Sequence, residues 1–375
     1  MFRFLHSSDL HIGKRFGNLP EDLRGRLREA RHTALDRLAE RARAHGAATL
    51  LLAGDTFDTE TPTPAILRQA LAAMASHDAL RWIILPGNHD SLVADELWDE
   101  ARRALPANVT LAIEATPIVL EAGVVLLPAP CTTRRPGRDL TEWMDQAATT
   151  EGDLRIGLAH GAIQSFSEDN GACDVIAPDR AERAGLDYLA LGDWHGQLRV
   201  GEKTWYSGAP EPDRFKHGKP GQALIVSIGG RGATPEVQPI ETGAFDWKTL
   251  ALDFLGEEDA PALLQALLPP PVRRRQTLLH IVASGRLKIA PRAALAAAVK
   301  AVEPDFAHAA LDEEALATVC ESADLDLIDR SGALRQAADA LLAESVDASL
   351  PLGEREIARD ALARLFAFCE ATPQS

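Results

Sequence analysis

Aromatic side chains make up only 5% of this 375-residue chain, which leaves no run of rings on which single-stranded bases would stack. Its four cysteines, Cys131, Cys173, Cys320 and Cys369, show no CxxC spacing and no secretory context, so reduced thiols are expected. No apolar run approaches the roughly 20 residues needed to span a bilayer, and no membrane association is expected. The first residues read as a strand rather than a signal or transit peptide, which makes the cytoplasm the expected compartment. A net charge of −16 argues against a generally basic nucleic-acid binder. There is no internal repeat and no low-complexity tract beyond alanine richness. A chain of this length is expected to form two or more domains.

What the chain does have is five short polar segments, each closing a strand-like apolar run. They are Asp9-Leu10-His11, Gly54-Asp55, Gly87-Asn88-His89-Asp90, Ala159-His160-Gly161 and Gly192-Asp193-Trp194-His195. In an α/β sheet the loops at strand C-termini gather into one crevice, so these segments can meet. They would bring together three carboxylates (Asp9, Asp55, Asp193), Asn88, and three imidazoles (His11, His160, His195). Oxygen ligands suit hard divalent ions and imidazole suits transition ions. On an extended backbone residues i and i+2 point the same way, so Asp9 with His11, and Asp193 with His195, are each expected to chelate from one strand end. Asp55, after a glycine, is the natural carboxylate to bridge two ions. Such a pair, about 3.5–4 Å apart, activates a water and clamps the oxygens of a phosphoryl group. Taken singly, each segment is an ordinary turn or cap. Their combination, in this order, is a metallohydrolase pattern. His6, His32, His45, His77, His217, His280 and His308 belong to no such constellation and read as surface or structural residues.

The run Ser8-Asp9-Leu10-His11-Ile12-Gly13, followed by Gly54-Asp55-Thr56-Phe57-Asp58 and the three later segments, resembles the calcineurin-like metallophosphoesterases. Together with Trp205-Tyr206-Ser207-Gly208-Ala209-Pro210, it looks most like the SbcD-type DNA repair exonucleases, over residues 1 to about 230. That resemblance implies a four-layer α/β/β/α sandwich with a smaller α/β capping domain and C-terminal helices. It implies that Asp9, His11, Asp55 and His195 hold one metal, and that Asp55, Asn88, His160 and position 193 hold the other. His89 would contact the phosphate and protonate the leaving oxygen, with Asp58 and Asp90 behind these residues, Asp90 orienting a neighbouring side chain. The family usually has Gly-His-x-His where this chain has Gly192-Asp193-Trp194-His195. An extra carboxylate favours a harder ion, manganese first with magnesium or iron as alternatives, over zinc.

The function expected is metal-dependent phosphodiester hydrolysis on DNA, by in-line attack of an ion-bridging hydroxide. The alternatives are a small-molecule phosphodiesterase or phosphatase and a mainly structural subunit of an ATPase complex. Basic residues after the first motif (Lys14, Arg15, Arg24, Arg26, Arg28, Arg31) and after the last (Arg214, Lys216, Lys219) can flank the crevice and hold a phosphate backbone. The alternative is that the arginines after residue 20 line the solvent face of a helix. Trp194 and Phe16 can pack against bases, though for Trp194 core packing is the reading preferred. By resemblance, the partners are DNA, an SbcC-like SMC-type ATPase and a second copy of the chain. The expected organisation is a nuclease domain over 1–240, a capping domain over 241–330 and a helical segment over 331–375. Apolar spacing predicts a helix over 21–45 with Leu23, Leu27, Ala30, Ala34, Leu38 and Ala42 inward, and another over 62–76. In the last helix Ile357, Ala361, Leu365 and Phe368 are expected to share one face, with Leu362 and Phe366 beside them.

Overall fold

The computed structural model describes residues 1–163, 175–256, 258–319 and 332–371. Two compact units make up the chain, Met1–Asp246 and Trp247–Ser375.

The first unit is built on two six-stranded sheets. One contains β1 (Phe2–Ser7), β2 (Thr49–Leu52), β3 (Arg81–Ile84) and β4 (Val109–Leu111), all parallel. The other contains β5 (Ile118–Glu121), β6 (Val124–Ala129), β7 (Leu154–His160), β10 (Tyr188–Gly192), β11 (Leu198–Arg199) and β12 (Thr204–Tyr206). The short pair β8 (Ala162–Ile163) and β9 (Val175–Ile176) stands apart. After β12 the chain returns to the first sheet as β13 (Gln222–Ile228) and β14 (Glu236–Glu241), with β13 antiparallel to β1.

Side chains alternate across each strand, and both sets are apolar because both faces are covered. Leu5, Leu50, Leu52, Trp82 and Ile84 face one way, into a core with helices α1 (Glu21–Ala44), α2 (Pro64–Ala75) and α3 (Asp95–Arg103). Phe4, Leu51, Ile83 and Leu85 face the other way and meet Leu126, Ile156, Leu158 and Ala190 between the sheets. The outer face of the second sheet packs Leu127, Leu189 and Leu191 against Met144, Ala181 and Leu186, from a short 3₁₀ turn and one helical turn. The four layers are therefore α/β/β/α, the fourth much thinner than the first. All six predicted inward residues of α1 are buried.

In the second unit, β15 (Asp246–Phe254), β16 (Thr277–Lys288) and β17 (His308–Val319) form a three-stranded sheet. Helix Ile289–Val302 connects β16 to its parallel partner β17. Helices Ala333–Val346 and Leu352–Ala371 pack on that connection: Ala338, Leu362 and Phe366 bury against Ile289. The buried face of the last helix is therefore Ala358, Leu362 and Phe366, at i, i+4 and i+8. Ile357, predicted inward, is exposed, one position off that stripe. The Phe368 side chain lies outside the described residues.

Candidate metal centre

The first two motifs are zipped together by the backbone. Past the ends of β1 and β2, Asp9 N–H donates to Gly54 O, His11 N–H to Asp55 O and Ile12 N–H to Thr56 O, at 2.9–3.1 Å. Asp9, His11, Asp55 and Asp193 all lie at positive φ, at 55°, 44°, 52° and 101°. The extended geometry expected for Asp9-x-His11 and Asp193-x-His195 is thus replaced by left-handed turns at three of those four residues. Asp and His are among the non-glycine residues that enter this region most readily, at a cost of order 1–3 kcal/mol each. Glycine closes the site where even a methyl group would collide. A Cβ at Gly54 would lie 2.2 Å from His160 Nδ1, one at Gly87 2.2 Å from Asp55 Oδ1, and one at Gly192 2.0 Å from Ala53 O.

These turns gather six of the seven expected ligands around Asp55. Ligand atoms of Asp9, His11 and His195 lie within 4.8 Å of one another, as do those of Asp9, Asp55 and His160. Asp55 Oδ2 is 3.6 Å from His11 Nε2 and 3.5 Å from His160 Nε2, between the two groups. Asp193 Oδ1 is 3.8 Å from His160 Nε2 and accepts from the Asn88 amide at 3.3 Å, which brings in the seventh. The Asp193 N–H points back to both Asp9 oxygens at 3.2 Å.

Three of the four imidazoles, those of His160, His89 and His195, are held by a hydrogen bond at Nδ1. His160 donates to Ala53 O at 2.8 Å and His89 to Asp58 O at 2.9 Å. His11 Nδ1 lies 3.3 Å from Asp58 Oδ1, and His195 Nδ1 lies 3.2 Å from Asp213 Oδ1. Anchoring at Nδ1 fixes the tautomer and leaves Nε2 for chemistry. Asp58 thus lies behind His11 and His89. The Asp90 carboxylate accepts from Gly87 N–H at 2.7 Å and Phe57 N–H at 3.0 Å, tying two motif loops together, and its backbone carbonyl takes the Trp98 indole N–H at 3.0 Å.

The residues fit a metal. Asn88 Oδ1 and His160 Nε2 are buried and make no hydrogen bond. Leaving such atoms unpaired costs free energy unless a ligand engages them. Burial disfavours charge on both Asp55 and His160, yet their attraction prevails: the carboxyl is held well below its usual range and the imidazole well above. Burial, with Asp9 and Asp55 adding repulsion, pushes Asp193 up to about 6, the mark of a crowded anionic site.

The chain belongs to the calcineurin-like phosphoesterase family. Residues 2–197 match its family model, over half of the chain. Members use divalent metals, and the clustered donors described above are consistent with that chemistry. The D subunit of the SbcCD nuclease of Escherichia coli (strain K12) is 31% identical over 253 residues, covering 57% of this chain and 61% of that one. The chain is thus matched to less than two thirds of that relative's length. Its counterpart in Rhodobacter capsulatus, of the same name, is 28% identical over 319 residues, covering 71% and 75%. A solved structure from Thermus thermophilus, TT1561, aligns over 63% of this chain and 98% of its own, with 12% identity and a TM-score of 0.38.

The expected DNA-contacting residues divide. Arg15 and Lys216 are exposed, the latter with its ammonium 5.5 Å from the Trp194 ring. Lys14 turns inward to Asp213 Oδ2 at 2.8 Å, and Arg214 Nε donates to Asp213 Oδ1 at 3.0 Å. Arg31 is fully buried and donates to Leu10 O and Glu211 O, so it flanks no open crevice. Phe16 is likewise buried, with the Arg31 guanidinium 5.6 Å above its ring, and offers no face to a base. Trp194, half-buried, packs on the outer core of the second sheet. Sequence reasoning missed Asp213 and Glu211. Glu211 is buried and accepts from Ala244 N–H, Phe245 N–H and Arg37. Among the described residues no helix is long and apolar enough to cross a membrane.

Proposed function

We propose that this chain is a metal-dependent phosphodiesterase acting on DNA, an SbcD-like nuclease subunit. The observation that carries the reading is the donor set around Asp55, with its unpaired Asn88 Oδ1 and His160 Nε2. Asp9, His11 and His195 would hold one divalent ion, Asn88, His160 and Asp193 a second, and Asp55 both. Bound ions supply a water of lowered pKa and stabilise charge on phosphoryl oxygens. The rest falls to the chain. His89, with Nδ1–H committed to Asp58 O, would carry a proton on Nε2 to the leaving sugar oxygen. Asp58 and Asp90 keep the loops and imidazoles in place. The oxygen-rich donor set at Asp193 favours manganese, or magnesium or iron, over zinc.

The choice of DNA is supported by the relatives named as nuclease subunits and by the exposed Arg15 and Lys216. Those relatives are named as one subunit of a nuclease, which supports a partner, an SbcC-like ATPase. Hydrolysis of labelled single- and double-stranded DNA with Mn²⁺, beside bis-para-nitrophenyl phosphate and cyclic nucleotides, tests the proposal. DNA cleavage that disappears in His89→Ala supports it. Turnover of only the small substrates would replace it with a small-molecule phosphodiesterase.

A further inference from the structure

We propose that Asp213 is the positioning residue that makes His195 a fixed, charge-strengthened Nε2 donor. The inference rests on the metal-centre reading above and adds to it a residue that lies outside all five motifs. The Asp213 carboxylate is 2% exposed, and only one of its oxygens meets His195. Oδ1 faces His195 Nδ1 at 3.2 Å and also accepts from Arg214 Nε at 3.0 Å, while Oδ2 takes the Lys14 ammonium at 2.8 Å with Arg31 at 3.8 Å. A carboxylate only accepts when ionised, so Nδ1 carries the hydrogen and Nε2 presents its lone pair. That lone pair looks toward His11 Nε2 at 3.2 Å and Asp9 Oδ1 at 3.8 Å, the remaining donors of the same group.

The four imidazoles of the site are not treated alike. His160 and His89 lean on neutral backbone carbonyls. His195 hydrogen-bonds to the Asp213 carboxylate, and His11 Nδ1 lies 3.3 Å from the Asp58 carboxylate without a hydrogen bond. Negative charge behind an imidazole raises its basicity as a ligand. Lys14 links the two carboxylates, 2.8 Å from Asp213 and 3.8 Å from Asp58, so both imidazoles of this group share one ion-paired support. Lys14, expected to grip DNA, belongs to this support.

The test is metal binding by the full chain, read by Co²⁺ ligand-field absorption and by Mn²⁺ titration. The unaltered chain should take up two ions. Asp213→Asn keeps an oxygen for Nδ1 but removes the charge. It should weaken one ion by about 10–100-fold and shift the Co²⁺ absorption bands, leaving the other ion unchanged. Asp213→Ala should do the same more strongly; should it fail to fold beside the buried Arg31, the isosteric Asn variant decides. Wild-type affinity and spectrum in a folded Asn variant would overturn the role of Asp213 while leaving the metal centre intact. Failure of the unaltered chain to bind either ion would overturn both readings.

Discussion

The Tyr188 hydroxyl donates to His6 Nδ1 at 3.0 Å, joining β10 of one sheet to β1 of the other. On its far side the His6 ring gives Nε2–H to Leu191 O at 3.2 Å. A carbonyl can only accept, so the ring is the neutral Nε2–H tautomer and Nδ1 is the acceptor. His6 lies on the strand that delivers Asp9 and His11, and one neutral imidazole pins that strand to the opposite sheet.

Burial pushes His6 down from 6.5 to about 3. The unfolded chain takes up this proton near pH 6.5, whereas the folded chain resists until about pH 3. The His6 contribution to stability is therefore complete above pH 6.5 and is lost as pH falls toward 3. At about 1.4 kcal/mol per unit, roughly 2 kcal/mol disappears between pH 6.5 and 5. His6→Gln should be less stable at pH 7.5 yet lose less on acidification, measured by urea unfolding across that range. An equal pH slope in the variant would refute the assignment.

Asp193 holds a conformation that its side chain disfavours. At φ 101° glycine is at ease and aspartate is strained. Asp193→Gly should therefore raise the stability of the metal-free chain by about 1 kcal/mol while costing it one of the two Mn²⁺ ions that the proposed centre would hold. Elemental analysis after equilibrium dialysis reads the second effect and calorimetry the first. Asp193→His, restoring the usual residue of the family, should shift competition between Zn²⁺ and Mn²⁺ toward zinc. Retention of both Mn²⁺ ions in the glycine variant would remove Asp193 from the ligand set.

Two glycines separate strain from collision. Gly123 lies at φ +77° with open space around its missing Cβ, so Gly123→Ala should cost only the left-handed term, about 1–2 kcal/mol. Gly54 lies at φ +89° with the His160 ring 2.2 Å from that position. Gly54→Ala should cost about 3 kcal/mol or more, the overpacking adding to the strain, and should abolish binding of the ion that His160 would hold. Equal thermal shifts in the two variants would show that the loop yields to the methyl group.

The sheets, the α1 stripe and the five motif loops were legible because each leaves a local pattern: a short apolar run, a 3.6-residue period, or a polar cluster after a strand. The left-handed turns at Asp9, His11 and Asp55 were not, because their backbone is set by hydrogen bonds between two loops some 45 residues apart. Asp213 was read past for a related reason. It stands between Pro212 and Arg214 in a stretch that looks basic, and its task depends on a return of the chain to His195 that no spacing announces. The stripe of the last helix slipped by one residue, since Ile357 and Ala358 are both apolar and only packing chooses between them.

Arg31 is the instructive error, because the signal was present. It sits four residues after Leu27 and four before Leu35, on the buried face of α1, where an arginine has to be paired. Its partners are Leu10 O, inside the first metal motif, and Glu211 O, with the Asp213 carboxylate 3.8 Å away. Removing it leaves those acceptors and one buried carboxylate short of a cation. Arg31→Leu should destabilise the chain by roughly 3–5 kcal/mol and loosen the Asp9-Leu10-His11 turn. Arg28, exposed on the same helix, provides the control: Arg28→Leu should stay within about 0.5 kcal/mol. Urea unfolding of the two variants side by side checks this. A loss in Arg31→Leu no larger than in Arg28→Leu would mean that Lys14 and the remaining hydrogen bonds hold this corner without it.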